Sequence, residues 1–201
     1  DPVTGESKGL LIEEARTNLV DNSVPTAAAD NNGISFEASA AVAPDGTITA
    51  GLMTSDSTND GHYAYFKNFL RTSGATQTIS IFVKPLSMSR GYIWLGSGSG
   101  LILNNIVVDT STWTVTYSNG TASSVTEIGN GWYRISTTGV VTTTGTAQMY
   151  VGFAPSSNST GSDYVGDPSD RMLVWGFQAE TGAFPTSYIP TAGSTVTRAV
   201  E

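Results

Sequence analysis

The sequence predicts an all-β chain folded as an antiparallel β-sandwich of jelly-roll type. Three observations predict it. Short stretches that alternate apolar and polar residues recur along the whole chain. Turn-type clusters rich in Gly, Ser, Asn and Thr separate them, and no stretch carries apolar residues at helical spacing. A chain of 201 residues is within the range of one undivided sandwich.

The first element is GLLIEEARTNL (9–19), in which three aliphatics precede two carboxylates and an arginine. As a strand it sends Leu10 and Ile12, or Leu11, to seal the sandwich edge. Glu13, Glu14 and Arg16 are then left at the rim, to ion-pair with Arg198 or Glu180 of the closing segment. An exposed pair of this kind is worth about 0–1 kcal/mol, so it sets register rather than stability. Nothing beside an arginine would hold either carboxylate in the raised-pKa state that acid catalysis needs. Further on, AYFKNFLR (64–71) reads as a strand and a turn. TISIFVK (78–84) puts Ile79, Ile81 and Val83 on one face. GYIWLGSG (91–98) sets Tyr92 and Trp94 against Ile93 and Leu95. WTVTY (113–117) gathers its three apolar side chains on one face, and WYRIS (132–136), TAQMYVGF (146–153) and MLVWGFQ (172–178) complete the set. Trp113 and Trp175 are assigned to the core, Trp175 on the face of Leu173 and Phe177.

Composition excludes several functions. Only 13% of residues are charged, the net charge is −8 and no Lys/Arg cluster occurs, so neither nucleic acid nor an anionic membrane is an expected partner. Hydrophobic content of 39% suffices for a sizeable core. With no cysteine, disulfides, thiolate metal sites and cysteine nucleophiles are ruled out. No apolar run is long enough to span a membrane as a helix. One histidine, His62, cannot form a histidine-rich zinc site, and no G-x-S-x-G or H-E-x-x-H occurs.

The two ends carry a resemblance. GLLIEEARTNL (9–19) followed by APDGT (43–47), and VWGFQAETGAFPTSYIPTAGSTVTRAVE (174–201), with ISIFVKP (79–85) and GNGWYRIS (129–136) between them, resemble a recurrent domain of phage tail fibres, tailspikes and head spike fibres. That domain is a concanavalin-like or carbohydrate-binding-module-like jelly roll, and its relatives also accompany polysaccharide-degrading enzymes. The resemblance covers nearly the whole chain. It implies a single jelly-roll domain over 1–201, with 1–8 a lead-in and 191–201 a lead-out cut from a longer chain. It also implies neighbouring domains of the same fibre, a homotrimer in the full-length context and a virion or extracellular location. Where the family carries an aromatic W-T stretch after its TNL motif, this chain has VDNSVPTAAADNNG (20–33), so that loop is given no binding role.

Sugar rings stack their C–H faces on aromatic planes, and their hydroxyls need polar side chains at the edges. With Ile93, Leu95, Tyr133, Ile135, Met149, Val151 and Phe153 facing the core, strand alternation turns Tyr92, Trp94, Trp132, Arg134, Gln148 and Tyr150 outwards. These six are the candidate carbohydrate-binding residues, expected on one shared concave face. A lyase would have to draw on His62, Tyr63 or Tyr65, Arg134 and Gln148, without the Q-I-H and R-T-E signatures such enzymes carry. The paired carboxylates of retaining sandwich glycosidases are also missing, so no catalytic residue is expected.

Jelly rolls of this kind often hold one structural Ca²⁺, and hard cations want clustered oxygens. SDSTNDGH (55–62) offers Asp56, Asn59 and Asp60, and GSDYVGDPSD (161–170) offers Asp163, Asp167 and Asp170. Neither run has the spacing of a helix–loop–helix calcium site, and both also suit Asx turns. The expectation is thus a non-catalytic module that binds a cell-surface polysaccharide by stacking and polar contacts. A ligand-free spacer of a virion fibre, and a jelly-roll polysaccharide lyase or glycoside hydrolase, are the alternatives.

Overall fold

The computed structural model describes residues 13–27, 30–97 and 105–200, so Leu10, Leu11 and Ile12, expected to seal an edge, and the lead-in 1–8 lie outside the described residues. Its strands are, in chain order, β1 (Arg16–Asn18), β2 (Asp30–Asn32), β3 (Ile34–Ala41), β4 (Ala50–Ser55), β5 (Asn59–Asp60) and β6 (His62–Arg71). Then follow β7 (Thr76–Ser87), β8 (Tyr92–Ser97), β9 (Ile106–Asp109), β10 (Thr114–Ser118) and β11 (Ala122–Gly129). The last are β12 (Trp132–Val140), β13 (Gly145–Phe153), β14 (Tyr164–Val165), β15 (Arg171–Thr181) and β16 (Val196–Arg198). No helix occurs among the described residues.

Two six-stranded sheets face each other. Sheet I has the order β10-β9-β8-β13-β6-β2 and sheet II the order β11-β12-β7-β15-β4-β3. All their described pairings are antiparallel. The protein is an antiparallel β-sandwich, as the alternating segments require: a half-buried strand must bury one face and solvate the other. Ile79, Ile81 and Val83 of β7, Ile135 of β12 and Val174 of β15 meet Ile93, Leu95, Met149, Val151 and Phe153 of sheet I in one core. Tyr133 packs against the same core. Every residue expected to face inwards on β8, β12 and β13 does so.

Bulges alter the faces elsewhere. AYFKNFLR contains no turn: it lies wholly within β6, whose pairing with β13 shifts by one residue beside Met149 and Tyr150. In β10 a shift between Val115 and Tyr117 sends Val115 to the core and Tyr117 to the outer face, so the three apolar side chains of WTVTY do not share one surface. Trp113 precedes β10 with φ 55° and is partly buried, stacked on Tyr133 at 3.3 Å between ring centroids. In β15 the register shifts between Trp175 and Gln178, at Gly176 with φ 67°. Trp175 keeps the outer face with Leu173, and Phe177 passes to the core. An extra residue in one strand inverts the alternation beyond it.

The chain ends meet in a small ribbon, β1 against β16, with Arg16 opposite Arg198. Two like charges face each other there, and each has its own carboxylate: Arg198 pairs with Glu13 at 2.6 Å, and Arg16 pairs with Glu14. The rim pairs expected from the sequence therefore form. Glu180 is not part of them. It is buried, and its carboxylate accepts from Thr186 N at 2.9 Å, Thr186 Oγ1 at 2.8 Å and Gln178 Nε2 at 2.8 Å. Arg16 lies where a Cβ on Gly182 would stand, and Gly182 has φ 146°. Gly182→Ala should therefore cost about 2 kcal/mol in backbone strain alone. For a chain of this size that lowers the melting temperature by about 5 °C, measurable by circular dichroism; an unchanged melting temperature would show that neither the backbone nor Arg16 is constrained there.

Candidate functional site

The six residues proposed for one trough divide between the two outer faces of the sandwich. Tyr92, Trp94, Gln148 and Tyr150 stand on sheet I, and Trp132 and Arg134 on sheet II, with the core between them. Period-two alternation assigns a side chain to the inside or the outside. It does not say on which sheet, and β12 and β13, consecutive in sequence, belong to opposite sheets.

On sheet I the outer face is a connected set of rings. Trp94 stacks on Tyr150 at 5.7 Å and 29°, and Tyr63 meets Trp94 edge-on at 5.3 Å. Tyr65 meets Tyr150 edge-on at 4.7 Å. Tyr92 and Tyr117 border the same cluster. Tyr63 and Tyr65 come from the HYAYFK stretch of β6, where their i, i+2 spacing is the signal that they share an outer face. Trp94 itself is 8% exposed. Gly161 lies against its ring, and its Nε1 donates to Asn105 Oδ1 at 3.3 Å. The indole is thus the base of the cluster, and the half-buried tyrosines Tyr63, Tyr65, Tyr92 and Tyr150 form its open surface. Gln148 is half-buried and its Oε1 accepts from the Tyr150 hydroxyl at 3.3 Å; the exposed Asn68 stands opposite it across the β6–β13 pair. Burial, then the neighbouring Tyr63, lifts the Tyr150 hydroxyl above the ordinary phenol range.

On sheet II, Trp132 is 4% exposed and joins Phe82, Leu173 and Trp175 in a second, outer apolar cluster. Arg134 is partly buried. It donates from Nη1 to Thr186 O at 2.5 Å and from Nη2 to Ser80 Oγ at 2.9 Å, with its guanidinium 5.1 Å from the Phe82 ring. Burial draws its pKa down, and the Glu180 and Glu13 carboxylates oppose that. Neither tryptophan offers an open stacking face.

The acidic stretches meet: β5 pairs with β14, Asp60 opposite Tyr164 and Asn59 opposite Val165. Their side chains do not converge. Asp56 caps its own turn, accepting from Thr58 N at 2.8 Å and Thr58 Oγ1 at 2.6 Å, and these bonds hold its carboxyl below the usual range. Asp60 accepts from Asn32 Nδ2 at 2.9 Å and Gly61 N at 2.8 Å. Asp167 accepts from Ser169 N at 2.9 Å, and the buried Asp170 takes both the Ser89 amide and, at 2.9 Å, the Ser89 hydroxyl. Asn59 and Asp163 are exposed. Among the described residues no three acidic or histidine side chains gather as a metal ion needs. Asp56, Asp60 and Asp167 each give one carboxylate oxygen to local N–H or O–H donors, as Asx turns do, and the described side chains do not converge on one point as a hard cation requires.

His62 is fully buried, 4.4 Å from the Tyr164 ring and 3.4 Å from Asp56 Oδ1. Tyr63, Tyr65 and Gln148 lie on the outer face of sheet I and Arg134 on that of sheet II, so the side chains a lyase would use do not share a groove.

No protein-family model matches the chain, and no curated protein matches it. Among solved structures, the CBM22-1–GH10 modules of Clostridium thermocellum endo-1,4-β-D-xylanase 10B, complexed with xylohexaose, align over 86% of this chain at 11% identity, with a TM-score of 0.41. The chain spans 30% of that structure's length. The tripod (BppUct-A-L) from the baseplate of bacteriophage Tuc2009 aligns over 92% of this chain and 71% of its own, at 15% identity and a TM-score of 0.34. Both likenesses are remote, and the functional conclusion rests on the side chains of the two faces.

Proposed function

We propose that the protein is a non-catalytic carbohydrate-binding module, used for adhesion in a phage fibre or spike, and that its ligand lies on the outer face of sheet I. The observation that carries this is the contiguous set Tyr63, Tyr65, Trp94 and Tyr150, each ring touching the next. Flat rings with hydroxyls at their edges suit the C–H faces of a sugar, and Gln148 and Asn68 supply amides for its hydroxyls. The resemblance of the two chain ends to fibre domains supports the virion setting. Single-site affinity of a stacking-led surface is weak, near 1 mM or about 4 kcal/mol. A trimeric fibre engaging several copies at once raises it by orders of magnitude.

The double variant Tyr65→Ala/Tyr150→Ala should lower affinity for a neutral cell-surface glycan about 100-fold, roughly 1.4 kcal/mol per ring, with the fold retained. Affinity electrophoresis against host polysaccharide reads this directly, and an unaltered mobility shift in the variant would refute the assignment. The burial of both Trp94 and Trp132 favours one other function, a spacer that links fibre segments and holds no ligand. A glycan array on which the wild-type protein binds nothing would decide for the spacer.

A further inference from the structure

The outer face of sheet II holds a groove that the aromatic face of sheet I does not account for. Its covering segments make it. The loop 42–49 folds over the cluster around Trp175, with Trp175 Nε1 donating to Thr49 Oγ1 at 2.9 Å. On the other side, residues 183–188 are pinned by Thr186 to Glu180 and Arg134. Between these covers and the edge strand β11, three clefts follow one another. The first, about 330 Å³, lies over Trp132 and Lys84 beside Val42 and Pro44. Ile128 is shared with the second, about 440 Å³, over Arg134 and Phe82. Ser124 and Pro185 are shared with the third, about 90 Å³, over Ser136 and Thr138.

The clefts therefore follow β12, whose outward residues Trp132, Arg134, Ser136 and Thr138 line them in turn. The six residue steps from Trp132 to Thr138 give the groove a length of about 20 Å. Such a length suits a linear chain rather than a compact molecule. The walls of the second cleft mix the two kinds of group: Phe82, Ile128, Pro185 and the Tyr188 ring alternate with Ser124, Thr126 and Ser187, beside Arg134 and Glu13.

Charge separates this groove from the sheet I face. Lys84 and Arg134 line it, in a protein whose net charge is −8. One carboxylate, Glu13, lines the second cleft as well, and it and its acidic neighbours are each held by partners of their own. Glu13 is held by Arg198 at 2.6 Å and by Ser187 N at 2.8 Å, Glu180 is buried on Thr186, and Asp45 accepts from Thr47 N at 3.0 Å. Lys84 Nζ spends one donor on Asn130 O at 2.7 Å and keeps two. We propose that this groove is a second binding site, for a linear glycan whose sugars carry carboxylate groups, with Lys84 and Arg134 receiving the carboxylates and the Ser and Thr hydroxyls receiving the ring hydroxyls. The two faces then hold different ligands: neutral sugars on the tyrosines, acidic ones along β12.

The test is a calorimetric and NMR titration of the whole chain with a short oligogalacturonate and with its carboxyl-reduced, neutral counterpart. Arg134 also anchors the 183–188 segment, so the decisive variants leave it in place. Thr126 is exposed and pairs with Arg134 across β11 and β12. Thr126→Trp fills the groove from a position that folding does not use. The wild type should prefer the uronate to its reduced counterpart and lose that preference in high salt. Lys84→Gln should weaken uronate binding about fivefold or less, the worth of one exposed ionic contact. Thr126→Trp should abolish it, with the melting temperature and any neutral-glycan binding unchanged. Absence of uronate binding by the wild type, equal binding of the reduced oligomer, binding that survives Thr126→Trp, or binding lost instead in Tyr65→Ala/Tyr150→Ala would each overturn the proposal. The first two outcomes leave the sheet I assignment standing, since that site is read with neutral sugar.

Discussion

Replacing Trp175 with alanine should cost about 3–5 kcal/mol of stability, the usual loss when a buried tryptophan is emptied. The position lies outside the main core, yet its indole is 2% exposed. The ring contacts Phe82 at 5.4 Å and Tyr188 at 4.4 Å, and Nε1 donates to Thr49. The indole thus fastens both covers of sheet II, the 42–49 loop through Thr49 and the 183–188 segment through Tyr188. Its removal leaves a cavity that neither cover can refill from one side only. At about 2–4 °C per kcal/mol for a chain of this size, the melting temperature should fall by about 10 °C. Trp175→Phe should lie between, since it keeps most of the volume but leaves Thr49 without its donor. A loss below about 1 kcal/mol in Trp175→Ala, measured by urea unfolding with unchanged m, would mean that this cluster is a loosely attached layer.

Trp175 also shows how far sequence alternation reaches. The pattern of β7, β8, β12 and β13 assigned every inward side chain correctly, because a strand between core and water must alternate. The assignment failed at β15 and β10 for one reason. A bulge adds a residue, and everything beyond it changes face, so Phe177 left the face of Trp175 and Val115 that of Tyr117. The WGF of β15 does carry the one visible hint, a glycine inside a strand pattern. The candidate site was legible in type but not in place. Outward aromatics were found on β8, β12 and β13, yet no local signal states that β12 crosses to the sheet opposite β13. Tyr63 and Tyr65 figure in the sequence only as candidates for a lyase groove, because a strand and a turn over 64–71 would not hold them on one sheet face, whereas β6 runs unbroken from His62 to Arg71. The acidic runs are ambiguous for a different reason: closely spaced Asp and Asn are as good at capping turns as at holding a cation, and only three-dimensional convergence separates the two.

Alkaline solution should unfold the protein earlier than its acidic composition suggests, because three tyrosines are held in their neutral form by folding. Tyr164 is the strongest case. Its ring lies 4.4 Å from His62 and 4.9 Å from the Arg90 guanidinium, and its buried hydroxyl finds no hydrogen-bond partner among the described residues. Burial raises its pKa well above the ordinary value near 10, the Asp170 carboxylate adds to this, and the Arg90 cation opposes it. Tyr188 is raised by burial against the opposing Ser23 hydrogen bond, with Asp45 adding to the rise, and Tyr150 by burial and Tyr63. Above about pH 10 the unfolded chain releases these protons while the native one keeps them, so the native state binds more protons and stability falls as pH rises. Below pH 10 both states hold the protons and the stabilisation is complete. The slope has a ceiling of about 1.4 kcal/mol per pH unit for each tyrosine, and solvent screening keeps the measured value below that. Urea midpoints between about pH 8 and 11, followed together with tyrosinate absorbance, test this. Tyr164→Phe should flatten the slope and leave neutral-pH stability unchanged or slightly higher, since an unpartnered buried hydroxyl contributes nothing favourable. Native-state tyrosinate appearing for all tyrosines near pH 10, with no loss of stability, would show that water reaches these hydroxyls in the folded protein.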